Sequence, residues 1–138
     1  MATKPDFTGK WQVYKSENFE DFLAANGLNW FIRKVASLGT PVHFIKQDGD
    51  KMEIKYTGPK TRLEAFTVGE AYKQEQHSGD MTHAIANWEE DKLVINYEPV
   101  EGNHPKPQKL VRELKDGEIV MTMLIDDVEA KRYLKKIE

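Results

Sequence analysis

The chain contains no cysteine, which excludes a disulfide framework and thiol chemistry and is compatible with a reducing compartment. It has no basic surplus either. Twenty Lys and Arg stand against 23 Asp and Glu, a net charge of -3, where a general nucleic-acid binder would carry a positive excess. No segment approaches the roughly 18 apolar residues that span a bilayer as a helix. The opening residues 1–6 hold one lysine and no apolar run, so a secretory signal is not expected and a cytoplasmic location is. His43, His77, His83 and His104 show no metal-ligand spacing, and no Ser-His-Asp order, paired nucleophile and base, or phosphate loop is present. No metal and no cofactor are therefore expected. Glu89-Glu90-Asp91 reads as a solvated turn.

What remains is a rhythm of short alternating segments. At 138 residues the chain is expected to form a single domain (1–138) with a sizeable core. Residues 8–15 alternate and read as a strand. Residues 16–38 carry Phe19, Phe22, Leu23, Trp30, Phe31, Val35 and Leu38 at spacings of three and four, which suit two short helices. Ser16 or Asn18 is the expected cap of the first, Glu17, Glu20 and Asp21 favour its positive end, and Asn26-Gly27 ends it. Beyond Pro41 the alternation returns in segments 42–47, 51–57, 62–68, 70–76, 81–89, 92–97, 108–114, 118–125 and 129–137. Turn residues at 48–50, 58–59, 78–80, 90–91 and 116–117 separate them, and 102–107 is the one longer loop. Ten strands in a meander leave exposed edges unless they close, so the expected fold is mainly β: a ten-stranded antiparallel up-and-down β-barrel with a helical lid after strand one. Glu70, Tyr72, Gln74 and Gln76 share one strand face, which suits a partly wet cavity better than a dry core.

Two arginines sharpen that picture. Arg112 shares a face with Leu110 and Leu114, and Arg132 shares one with Ala130 and Leu134. A surface arginine, or one paired with a nearby acid, is the ordinary reading of each. If the leucine faces point inward, two guanidinium groups lie inside the barrel, where they need an anion, a polar partner or water. Met121 and Met123 share a face of the ninth strand and read as core filling or as a flexible wall for an alkyl chain. Trp30, Phe31 and Ile32 are consecutive on the second helix and cannot all pack inward. With Arg33 and Lys34 beside them they suit a contact with anionic membrane, or a lid helix wedged against loops.

The segment Gly9-Lys10-Trp11-x-Val13-x-x-Ser16-x-Asn18-Phe19-Glu20-x-Phe22-Leu23 resembles the opening of the cytoplasmic fatty acid-binding proteins, within the intracellular lipid-binding (calycin) family. Arg33-Lys34-Val35-Ala36, Phe66-x-x-Gly69-Glu70, and Val111-Arg112-Glu113-Leu114 ahead of Asp116-Gly117-Glu118-Ile119-Val120 extend the resemblance, and Val128-Glu129-Ala130-Lys131-Arg132 is similar to the intestinal type. The resemblance implies a non-enzymatic, monomeric carrier that holds a long-chain fatty acid in an internal cavity and transfers it between membranes or enzymes. A retinoid, in particular retinoic acid, or another amphiphile is the alternative ligand. Two arginines and an Arg-x-Tyr tyrosine hold the carboxylate in that pattern. Arg112 and Arg132 match the arginines, the tyrosine position falls on Leu134, and Tyr133 is one residue early, on the opposite face. Without that hydroxyl, Arg112 is the expected primary ligand, and Arg132 is expected nearby, bonded to an interior acid or amide. Phe66 and Tyr72 are the implied cavity-lining aromatics, and residues 30–34 the implied portal. Trp11 is expected to pack near the closed end.

Overall fold

The computed structural model describes residues 4–37, 40–58, 61–75, 80–100 and 106–137. Leu38, Pro59, Gln76, His77, Ser78, Gly79, His104 and the rest of the 101–105 loop, about which the sequence raised expectations, lie outside them, as do residues 1–3.

Ten strands and two helices form in the expected order. They are β1 (Gly9–Glu17), α1 (Phe19–Ala25), α2 (Trp30–Ser37), β2 (Val42–Asp48), β3 (Lys51–Tyr56), β4 (Arg62–Thr67), β5 (Tyr72–Glu75), β6 (Met81–Glu89), β7 (Lys92–Pro99), β8 (Gln108–Lys115), β9 (Glu118–Ile125) and β10 (Val128–Lys136). All ten join one sheet in the order β4-β3-β2-β1-β10-β9-β8-β7-β6-β5. Sequence neighbours pair antiparallel except β4 and β5, and β1 also pairs with β10. The two ends of the sheet, β4 and β5, are the one place where the barrel lacks a backbone ladder among the described residues. Side chains cross that gap instead: the Tyr72 hydroxyl donates to Glu64 and Arg62 donates to the Glu75 carbonyl.

Alternation decides which atoms the barrel encloses. Met52, Ile54 and Tyr56 are the buried set of β3, and Ile119, Met121, Met123 and Ile125 that of β9, with exposed or half-buried residues between them. Asp116 and Gly117 join β8 to β9 with φ of 53° and 81°. Positive φ at both centres gives the turn whose twist matches a tight hairpin. Trp11 is buried, its indole N–H donating to the Phe7 carbonyl at 2.8 Å, and Phe7 stacks on Trp88. Phe7 and Trp11 belong to the buried apolar core, with Trp88 packed against it.

The lid differs from the expectation in its entry. β1 runs on to Glu17, so Ser16 lies in a strand, and α1 starts only at Phe19. Asn18 stands at the cap position with φ 56° and makes no side-chain cap bond; its amide donates to the Glu129 carbonyl of β10. A side chain spent on a neighbouring strand fixes where the lid leaves the barrel instead of satisfying the helix end. Asn26 and Gly27 end α1 as expected, with Gly27 at φ 85°. The fifth strand is shorter than 70–76: Glu70 is exposed and β5 begins at Tyr72, while Gln74 is buried as the alternation requires.

Candidate ligand cavity

α1 buries Phe19, Phe22 and Leu23 beneath the lid. Between lid and barrel lies a cavity of about 490 Å³, within the range of about 300–1,000 Å³ usual for small-molecule sites. Phe19, Phe22, Leu28, Ile32 and Ala36 roof it, Met121 and Met123 form apolar wall, and His43, Tyr56, Arg62, Glu64, Gln74, Tyr97, Gln108 and Arg132 bring polar atoms to it. The lid is tied down by a 2.8 Å hydrogen bond from the Gln108 amide to the Asn26 side-chain oxygen.

The two arginines sit level on the sheet. Arg112 of β8 and Arg132 of β10 both pair with Met121 of β9, so their Cα atoms are two strand spacings apart, about 10 Å. Their surroundings differ sharply. Arg132 lies on the cavity wall. Its Nε donates to the Ser16 hydroxyl at 3.0 Å, and its guanidinium carbon stands 3.9 Å over the Phe19 ring. A hydroxyl therefore stands where an interior acid or amide was expected. Burial without a counter-charge pulls the Arg132 pKa down to about 10, because desolvation penalises the charged form.

Arg112 is fully buried and stands behind the wall. Its Nη2 donates to the Tyr56 hydroxyl at 2.7 Å, and Tyr56 in turn donates to Glu64 Oε1 at 2.6 Å. Glu64 Oε2 accepts from Tyr72 at 2.8 Å and from Tyr97 at 2.6 Å. Burial works against the Arg112 charge, but Tyr56, Glu64 and Tyr97 outweigh it and raise the pKa. Burial first, and then the Glu64 charge, drives the Tyr72 and Tyr97 hydroxyls far above the usual phenol range. Tyr56 is also driven up by burial, against the opposing pull of Arg112. Arg112 Nε and Nη1 find no hydrogen-bond partner among the described residues.

Of the other expected site residues, Met121 and Met123 reach the cavity. Phe66 and Tyr72 stack on each other at 5.0 Å and, like the fully buried Leu134, lie off the wall. On α2, Trp30 is 62% and Phe31 69% exposed, while Ile32 both shows surface and reaches the cavity. Arg33 donates to the Leu28 carbonyl and Lys34 pairs with Glu20. The sequence reading missed Glu64, Tyr56, Tyr97 and Ser16. Alternation carried the signal for three of them: Glu64 shares its face with Phe66, Tyr56 with Ile54, and Tyr97 with Ile95. Ser16 gives no such signal, because its neighbours read as the start of the helical lid.

Residues 8–136 match the lipocalin / cytosolic fatty-acid binding protein family. The chain is 38% identical to human cellular retinoic acid-binding protein 1 and 36% to human cellular retinoic acid-binding protein 2, each over 132 residues, with 93% of this chain and 96% of the relative covered. Among solved structures, the REP1-NXSQ fatty acid transporter superposes with a TM-score of 0.87 at 30% identity, covering 95% of this chain and 96% of that one. Apo lipid binding protein 8 of Caenorhabditis elegans gives 0.88 at 27%, with 94% of both chains covered. These relatives lend no support to an intestinal-type assignment from residues 128–132.

Proposed function

The chain belongs to the lipocalin / cytosolic fatty-acid binding protein family, a family of lipid carriers, and from that premise we propose that it carries a hydrophobic carboxylic acid whose head is held by Arg132. The observation that carries this reading is a buried guanidinium on the cavity wall whose hydrogen-bonded side-chain partner is a neutral hydroxyl. A ligand carboxylate supplies the missing counter-charge through charge-assisted bonds. Ser16 holds the guanidinium in place, Phe19 shields one face of it, and the ligand's apolar body lies against Met121, Met123 and the roof of the lid. Most of the affinity comes from burying that body, about 0.8 kcal/mol per methylene before offsets. The head group supplies orientation and selectivity, since both charges lose water.

Retinoic acid is the first candidate, because the relatives at 36–38% identity are named for binding it. A long-chain fatty acid is the second, favoured by the thioether wall and by the likeness to a fatty acid transporter. Arg112 stays behind Tyr56 as a structural cation. The exposed Trp30 and Phe31 of α2 make transient contact with anionic membrane as ligand passes, and the carrier works as a cytoplasmic monomer. Calorimetric titration of the delipidated protein with all-trans retinoic acid, oleate and their alcohols tests the reading. At least one acid binds more tightly than its alcohol. Equal affinity for acids and alcohols overturns the role given to Arg132.

A further inference from the structure

Glu64 stands out as an anion inside a cavity that otherwise suits an anionic ligand. It is 2% exposed, yet it contributes to the cavity wall beside Tyr56 and Tyr97. Three phenol hydroxyls donate to it, one at Oε1 and two at Oε2. An ionised carboxylate offers about four acceptor positions, so Oε1 keeps capacity that no described tyrosine fills.

The chemistry around that oxygen restricts what can meet it. Arg112 is already matched with the acid through Tyr56, so a ligand carboxylate arriving here meets a like charge. A ligand carbonyl or ether oxygen meets an acceptor. An alkyl chain dehydrates a charged oxygen and returns no bond. An ammonium group faces Arg112 and also Arg62, whose guanidinium lies 5.0 Å over the Tyr56 ring. A neutral O–H donor meets none of these objections. The position is also separate from Arg132 along the wall: Glu64 is on β4 and Arg132 on β10, with β3, β2 and β1 between them in the sheet.

We propose that Glu64, framed by Tyr56, Tyr72 and Tyr97, is a second recognition site that accepts a hydrogen bond from a ligand hydroxyl. The preferred ligand is then a hydrophobic carboxylic acid that also carries a hydroxyl group along its body, a class that rests on the carboxylate reading of Arg132. Glu64 also bars dicarboxylic acids, whose second anion would lie against it.

Matched ligands test this on the intact protein: stearate against 12-hydroxystearate, palmitate against 16-hydroxypalmitate, and hexadecanedioate. In the wild type at least one hydroxy acid binds about tenfold more tightly than its parent, the scale of one hydrogen bond to a charged group, and the diacid binds no better than palmitate. In Glu64→Gln the hydroxyl preference shrinks several-fold, as a neutral acceptor bonds more weakly. Parents that bind as tightly as both hydroxy acids overturn the proposal from the wild type alone, whether or not the variant folds. An unchanged preference in Glu64→Gln overturns it as well. If retinoic acid binds and none of these fatty acids does, the hydroxyl proposal is overturned while the carboxylate reading stands. If retinoic acid fails as well, the carboxylate reading itself has failed and the hydroxyl site falls with it.

Discussion

Replacing the two interior arginines one at a time gives stability changes of opposite sign. Arg132→Gln removes a buried cation whose pKa falls from 12.5 to about 10, a penalty on the charged form of about 3 kcal/mol at 1.36 kcal/mol per pKa unit. The ligand-free variant is therefore more stable than the wild type, by up to about 3 kcal/mol. Arg112→Gln does the reverse. It strands Glu64 in the interior without the cation that Tyr56 relays to it, and breaking a buried pair in this way costs about 3–5 kcal/mol. For a chain of this size the melting temperature drops by roughly 10–20 °C. Binding separates the two variants again. Arg132→Gln loses charge-assisted bonds worth about 1.5–3 kcal/mol, or about 10- to 150-fold in affinity for the acid. Arg112→Gln, assayed where it is folded, keeps most of that affinity. Urea unfolding without ligand, combined with calorimetric titration, reads all four numbers. An Arg112→Gln protein of unchanged stability that no longer binds the acid would refute the assignment of roles.

Other expectations follow from the same geometry. Stability falls as pH rises above 10: the folded state keeps protons on Tyr56, Tyr72 and Tyr97 that the unfolded chain releases, while Arg132 alone works the other way between about 10 and 12.5. Three buried tyrosines less Arg132 give a net two protons, a slope of at least roughly 2.7 kcal/mol per pH unit, to which the raised Tyr14 and Tyr133 add in the same direction. Tyr97→Phe lowers it by up to about 1.4 kcal/mol per pH unit in urea titrations at pH 10–11.5. Gln108→Ala unties the lid from β8 by removing the bond to Asn26, so stopped-flow release of bound ligand speeds up several-fold while equilibrium unfolding shifts by only about 1 kcal/mol. Trp30→Ala with Phe31→Ala removes exposed apolar surface from α2, and ligand transfer to anionic vesicles slows, since interfacial binding scales with the apolar area inserted.

Most of the barrel was legible because strand alternation is a strict two-residue code. That code puts Met121 with Met123 on one face of β9 and Arg112 with Leu110 and Leu114 on one face of β8; which face points inward came from the family resemblance. The lid entry was not legible, since Ser16-Glu17-Asn18 reads locally as a helix cap, whereas pairing with β10 holds Ser16 and Glu17 in strand. The polar interior was half legible. Alternation together with the family resemblance put both arginines inside, yet their division of labour depends on Glu64, and its three tyrosines arrive from β3, β5 and β7. No local pattern encodes a cluster assembled from four strands. The resemblance to fatty acid-binding proteins reached the family, while relatives named for retinoic acid binding shift the preferred ligand toward the alternative.

The most direct test of the account is a crystal structure of the protein with bound retinoic acid or oleate. The account predicts the carboxylate within hydrogen-bonding distance of the Arg132 guanidinium and near the Ser16 hydroxyl, with the Arg112–Tyr56–Glu64 chain intact. A carboxylate bonded to Arg112, with Tyr56 or Glu64 displaced and Arg132 left facing Ser16 alone, would contradict it.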